Sequence, residues 1–142
     1  MDENVEMLNY IYQNAEMGTT TIQQILKEVK DLEFKEILKE QLKDYEYVTN
    51  KADLLLNMEG RIPKGLDAMP KVMSYFKIKF DTLRDDTSSH IAEMMINGST
   101  MGVTEITKNL NKYNDIENDV EDLASRLLKI EQDNIESLKP YL

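Results

Sequence analysis

Apolar residues recur every three or four positions through almost the whole chain. Near the N-terminus the series is Val5, Leu8, Tyr12, Ala15, Ile22, Leu26 and Val29. From residue 34 it is Phe34, Leu38, Tyr45, Val48, Ala52 and Leu55. This spacing places each series on one face of an α-helix. It predicts a first helix over about 2–29 and a second over about 32–58. Asp31 lies at their junction, and its carboxylate can accept from the free amides of the next turn as an N-cap. No run alternates with period two for long enough to make a strand.

Breakers are few, with five glycines and three prolines, and the main cluster is Gly60-Arg61-Ile62-Pro63-Lys64-Gly65. It marks the one strong turn signal. Beyond it, Leu66, Met69, Met73, Phe76, Phe80 and Leu83 form a third apolar face. Asp67 is a candidate cap there, and Pro70 is tolerable in a first turn. Asp85-Asp86-Thr87-Ser88-Ser89 favours caps and turns over a helix interior. The pattern therefore predicts a break and a new helix over 88–112, with one bent helix over 68–112 as the alternative. A last helix over about 116–139 ends at Lys139-Pro140. The expected architecture is an all-α single domain over 1–142. It has one hairpin over 1–58, a connector with an amphipathic helix over 59–87, and a second hairpin over 88–142.

The two hairpins look alike. Residues 14–33 match 98–117 at a fixed offset of 84. Met17-Gly18 pairs with Met101-Gly102, Thr20 with Thr104, Ile22 with Ile106, Leu26 with Leu110, and Asp31-Leu32-Glu33 with Asp115-Ile116-Glu117. The likeness dissolves along the second helix of each half. Two hairpins joined by a long crossover is a known four-helix-bundle topology. A glycine inside a helix costs up to about 1 kcal/mol relative to alanine. Matched glycines at 18 and 102 therefore suggest a close approach of the first and third bundle helices.

Composition narrows the chemistry. The 142 residues include 41% hydrophobic and 31% charged side chains, no cysteine and one histidine, and the net charge is −10. The apolar content is enough for a core and too interrupted by charge for a membrane span. Disulfides, thiolate sites and multi-histidine metal sites are excluded within one chain. The acidity argues against nucleic acid as a partner, since phosphate contacts need clustered Lys and Arg. Met1-Asp2-Glu3 is acidic where a secretory signal is basic, and no apolar core follows it, so the cytoplasm is the expected location. No Gly-rich phosphate loop and no nucleophile–base constellation can be read from spacing, so the reading leans away from an enzyme.

The hairpin repeat, with Asn14-Ala15-Glu16-Met17-Gly18, Ser89-His90-Ile91-Ala92-Glu93-Met94 and Gly98-Ser99-Thr100-Met101-Gly102, resembles the ferritin-like superfamily. In particular it looks like small uncharacterised bacterial ferritin-like proteins. The likeness is architectural, covers most of the chain and implies no particular activity. Di-iron members carry a Glu on each of two helices and Glu-x-x-His on each of the other two. Here Glu16 stands where a first-helix ligand would. The second helix offers Asp44-Tyr45-Glu46-Tyr47 or Gln41-Leu42-Lys43-Asp44, without histidine. The counterpart of Glu16 by the repeat is Thr100. The last helix offers Glu131-Gln132-Asp133-Asn134, with Asn in the imidazole place. The one histidine occurs in His90-x-x-Glu93, in reversed order. The candidate metal ligands are thus Glu16, Asp44, His90, Glu93 and Glu131, for iron or manganese. The competing reading is no cofactor at all, with Glu16, Gln41 or Asp44, and Glu131 as a remnant polar layer. His90 also reads as a capping or surface residue.

Two further features suggest partners. Nine methionines, among them Met17, Met94, Met95 and Met101, are expected as core filler. The segment Lys71–Phe80 carries three lysines and no acid. An amphipathic basic helix there would pack across the bundle or against a second copy, giving a homodimer, or lie on an anionic membrane surface. The expectation is a non-catalytic helical bundle working through protein–protein contacts. The alternative is a di-metal carboxylate bundle with iron-linked oxidase or storage activity.

Overall fold

The computed structural model describes residues 2–65 and 87–142. The described residues form four helices and a terminal turn, with no strand among them. These are α1 (Glu3–Ile25), α2 (Leu32–Met58), α3 (Ser88–Lys112), α4 (Asn118–Leu138) and a 3₁₀ turn at Lys139–Tyr141. The connector apolar face, the basic Lys71–Phe80 stretch and the proposed membrane-surface helix lie outside the described residues.

The local chemistry sets the helix ends. Asp2, Asp31 and Thr87 each adopt extended backbone and accept from an amide of the turn that follows, at Asn4, Phe34 and His90. Each cap satisfies one of the orphan N–H groups that a helix start leaves open. Thr87 as N-cap separates α3 from what precedes it, so a single helix running through 87 into 112 is excluded. Just past the end of α2 stands Gly60, whose φ of 70° lies in the left-handed region. The amides of Gly60 and Arg61 return to Asn57 and Leu56. This closure satisfies carbonyls that would otherwise be orphaned, and only glycine takes that φ without strain.

Two predicted bounds shift. α1 stops at Ile25 instead of near 29, because the amides of Lys27 and Glu28 bond three residues back, to Gln24 and Ile25, and leave the α-helical ladder. Val29 remains buried from within that turn, so its apolar character continues the periodic pattern past the helix. α4 begins at Asn118, and Lys139 opens the 3₁₀ turn.

Side-chain contacts fix the topology. Phe34 packs on Tyr141, Gln41 reaches Ser137, and Tyr45 reaches Asn134 and Glu131. Rising numbers on α2 meet falling numbers on α4, so these two helices are antiparallel. Glu3 and Asn4 accept from the amides of Asp115 and Glu117, which ties the start of α1 to the α3–α4 turn. Lys64, past the end of α2, donates its amide to Asn9 of α1. The end of α2 therefore lies beside the start of α1 and the end of α3, and α2 and α3 run parallel. α2 ends and α3 begins at opposite ends of the bundle.

The core runs along the middle of all four helices. Ile11, Ile22, Phe34, Leu38, Leu56, Ile91, Ile106 and Leu127 are fully buried in it. Truncating such a side chain to alanine typically costs about 2–5 kcal/mol. Met7 and Met95 are buried there, and Met94 packs against it, but Met101 is 56% exposed. Core filling thus accounts for only part of the methionine set. No described helix is long and apolar enough to cross a membrane.

Candidate functional site

The centre of the bundle is polar. Gln41, Ser99, Glu131 and Asn134 are buried there among apolar neighbours, together with the phenol of Tyr45. A buried polar group without partners is costly, so each must be paired. The Tyr45 hydroxyl donates to Glu131 Oε1. Asn134 Nδ2 donates to the same Tyr45 oxygen at 3.2 Å. Ser99, buried on α3, lies close enough to lower the pKa of both Tyr45 and Glu131. One turn away, Gln41 Nε2 donates to Ser137 Oγ at 3.2 Å, while Gln41 Oε1 is buried without a partner.

Two glycines make the room. An ideal Cβ on Gly18 would lie 2.7 Å from three ring carbons of Tyr45. One on Gly102 would lie 2.8 Å from Glu131 Oε2 and 3.4 Å from Asn14 Nδ2. Each glycine therefore sits under the large side chain of the second helix in its own hairpin. The nearest atoms over each glycine belong to its own hairpin, and the expected approach between α1 and α3 is seen only at Gly102, which Asn14 also faces. This placement also extends the repeat. Gly18 and Gly102 differ by 84 positions, whereas Tyr45 and Glu131 differ by 86. The register slips by two residues around the second turn, which is why the likeness fades in the sequence of the second helices.

Electrostatics at the centre are unusual. Burial pushes the Glu131 carboxyl up from 4.5 to about 7, and the hydrogen bonds from Tyr45 and Ser99 pull against that rise. Desolvation disfavours the charged form, and donors to the carboxylate favour it. None of the groups acting on Glu131 carries a positive charge. Burial likewise holds the Tyr45 phenol well above the usual tyrosine range, and the neighbouring Glu131 charge adds to this. Tyr10, on the α1 side, is pushed up to about 12, first by burial and then by the charges of Glu105 and Glu131, against the hydrogen bond from Asn14.

The remaining predicted ligands do not join Glu131. Asp44 is exposed on the outer face of α2. Its carboxyl is raised by partial desolvation and by Glu40 and Asp133, with Arg126 opposing. Glu16 lies near Tyr12, whose phenol is raised by burial and by the charges of Glu16 and Asp53, and Glu16 Oε2 is buried without a partner. His90 and Glu93 are exposed in the first turns of α3, and the His90 amide donates to the Thr87 cap. Among the described residues no three His, Cys, Asp or Glu side chains converge in a manner that could hold a metal. The remnant layer of Glu16, Gln41 or Asp44, and Glu131 is corrected accordingly. Gln41 and Glu131 face inward, Asp44 faces out because it sits one residue off the apolar stripe, and Glu16 belongs to a separate contact. A di-metal centre needs several carboxylates and imidazoles converging. The bundle centre supplies one carboxylate, one phenol, one hydroxyl and neutral amides, so its residues do not fit that group.

Sequence reasoning identified Glu131 and noted Asn134 in the imidazole place, but read Tyr45 as core and left Ser99 without a role. The available signal was a tyrosine on an apolar stripe, since a buried phenol usually finds a partner, together with an unexplained pair of helix-interior glycines.

No protein-family model matches the chain, and no curated protein matches it in sequence. In structure it is similar to YcfI from Rhodopseudomonas palustris, described as a proposed structural protein. The TM-score is 0.58 at 12% identity, over 98% of this chain and 94% of that one. At that identity the likeness concerns the fold alone, and it supports an all-α arrangement of four helices.

Proposed function

We propose that this chain is a ferritin-like bundle of two helical hairpins that keeps the architecture without a di-metal centre. In this reading it is non-catalytic, resides in the cytoplasm and acts through protein–protein contacts as a homodimer. The observation that carries the reading is the bundle centre. In this reading the position open to a metal pair in ferritin-like proteins is taken by Tyr45, Glu131 and Asn134, which bond through the Tyr45 hydroxyl, with Ser99 beside them. Groups spent on each other in this way give a fixed core and leave no pair of carboxylates facing open space. The similarity to a proposed structural protein supports the same direction at the level of fold.

The test is metal content by mass spectrometry. The protein is purified without chelator or affinity metal, then incubated with Fe(II), Mn(II) or Zn(II) and desalted. The expected result is far less than stoichiometric metal in every case. About one or two ions per chain, the loading of a di-metal bundle, lost on Glu131→Ala, would overturn the proposal and restore the oxidase or storage alternative.

A further inference from the structure

We propose that the two hairpins are joined by a proton-operated latch. With a proton on Glu131 they lock together at the bundle centre, and loss of that proton parts α1 from α3 while α2 and α4 stay packed. The inference goes beyond the reading of the protein as one that works through contacts, because it assigns a moving part. Helix packing shows where the bundle can yield. α1 lies along α2 and α3 lies along α4. Across the hairpins, α2 and α4 share the broader seam, whereas α1 and α3 touch at few points. Phe34, at the start of α2, stacks on Tyr141 just past α4, with ring centres 4.5 Å apart, and secures that side. The α1–α3 side has instead a notch at Gly102, which Asn14 faces.

Glu131 stands between the two seams. Its Oε1 accepts from Tyr45 of the first hairpin. Its Oε2 lies against Gly102, and the Asn14 amide of the first hairpin faces the same glycine. From there polar groups continue outward. Asn14 Nδ2 donates to the Tyr10 hydroxyl at 3.4 Å. Tyr10 in turn lies beside Asn109 and feels the charges of both Glu105 and Glu131. Burial falls along this line. Glu131 is 4% exposed, Asn14, Tyr10 and Asn109 are half-buried, and Glu105 is exposed. Water enters a protein interior where polar partners can hold it, and this line supplies them on the α1–α3 side.

Charge supplies the force. Among the described residues, α1 presents Tyr10 and Asn14 to this centre and α2 presents Tyr45. α3 presents Ser99, with Glu105 farther out, and α4 adds Asn134. None of these is a cation, and a buried charge without a counter-charge is costly. The polar layer has no spare donor either. Gln41 Nε2 is spent on Ser137, and Gln41 Oε1 is itself buried without a partner. An ionised Glu131 is therefore relieved by hydration, and hydration requires α1 and α3 to part along the polar line. Burial raises the Glu131 carboxyl to about 7, so the latch is closed in mild acid and loosens as pH rises through neutrality.

The experiment is pulsed electron paramagnetic resonance on nitroxide pairs in the full chain, which has no native cysteine. Gln23→Cys with Glu93→Cys reads the α1–α3 seam, and Glu40→Cys with Glu136→Cys reads the α2–α4 seam. All four positions are exposed. Labelled chain is diluted into unlabelled chain, so that only distances within one copy are read, and a chelator is present throughout. Between about pH 5.5 and about pH 8.5 the α1–α3 distance is expected to lengthen by several Å, while the α2–α4 distance stays fixed. Adding Glu131→Gln is expected to hold the short α1–α3 distance at every pH. Asn14→Leu cuts the polar line and is expected to raise the midpoint by about one pH unit, a tenfold change in the ionisation constant. An α1–α3 distance that ignores pH would overturn the proposal, as would a change that survives Glu131→Gln or one that the α2–α4 pair shares. If Glu131→Gln fails to fold by circular dichroism, Asn14→Leu decides, and an unmoved midpoint overturns the proposal. Metal content is measured on unlabelled chain without chelator, so failure here and failure of the non-metal reading are separate results.

Discussion

Glu131 makes folding stability depend on pH in the direction opposite to that of most paired carboxylates. The perturbation is Glu131→Gln, which keeps an acceptor for Tyr45 and Ser99 and removes the proton equilibrium. In the folded bundle the Glu131 carboxyl is raised from 4.5 to about 7. The folded state therefore binds a proton that the unfolded state releases between those limits. Stability is undiminished below pH 4.5, falls as pH rises through the window, and levels off above about 7. At 1.36 kcal/mol per pKa unit the loss is about 3 kcal/mol, or roughly 10 °C in Tm for a domain of this size. The assay is urea unfolding followed by circular dichroism at half-unit steps from pH 5 to pH 8.5. Every other carboxylate titrates in both proteins, so the difference between wild type and Glu131→Gln isolates this group. The variant is expected to lie within about 1 kcal/mol of wild type near pH 5 and to exceed it by about 3 kcal/mol near pH 8. A difference that stays flat across the window, or one that grows toward acid, would refute the reasoning.

Gly18→Ala is expected to cost about 1–3 kcal/mol in urea unfolding. The added methyl meets the buried ring of Tyr45, and this outweighs the gain of up to about 1 kcal/mol in helix propensity. Gly102→Ala is expected to cost less, because the first atom it meets is a carboxylate oxygen at the end of a flexible side chain. Tyr45→Phe leaves the Glu131 oxygen and the Asn134 amide short of a partner and should cost about 1–3 kcal/mol. The Tyr45 hydrogen bond lowers the Glu131 pKa, so the same variant should move the midpoint of the pH–stability curve to higher pH. Asp31→Ala removes the α2 cap and should cost about 1 kcal/mol with no change in the pH dependence.

The parts of this structure that were legible are those that local chemistry decides. α2 spans the predicted 32–58, with Asp31 as its cap, because the apolar stripe and the cap coincide there. The break before Ser88 was visible in Asp85–Ser89, since threonine at the boundary serves as N-cap. The end of α1 was not legible. Val29 faces the core from a turn that contains neither Gly nor Pro, so periodicity alone extends the helix too far. At the centre, Glu131 was readable as an inward acid by its register on α4. Its partner was not, because Tyr45 satisfies an apolar stripe and a hydrogen bond at once, and only tertiary structure shows which acceptor its hydroxyl reaches. Gly18 and Gly102 announced close packing. Which surface they admit depends on the two-residue slip around the second turn, a property of the folded pair of hairpins rather than of either segment.

That slip and the two glycines carry a consequence for symmetry. If two separate, identical hairpins paired about a true two-fold axis, the side chain over each glycine would be the same. The centre would then hold two phenols or two carboxylates, and two buried carboxylates side by side cannot both ionise. A phenol donating to a carboxylate is the complementary choice, and it requires the two halves to differ at one facing position. Carrying both hairpins in a single chain allows that difference. The Tyr45–Glu131 pair therefore depends on two halves that differ at one facing position, and it would be lost in any symmetric assembly made from either half alone.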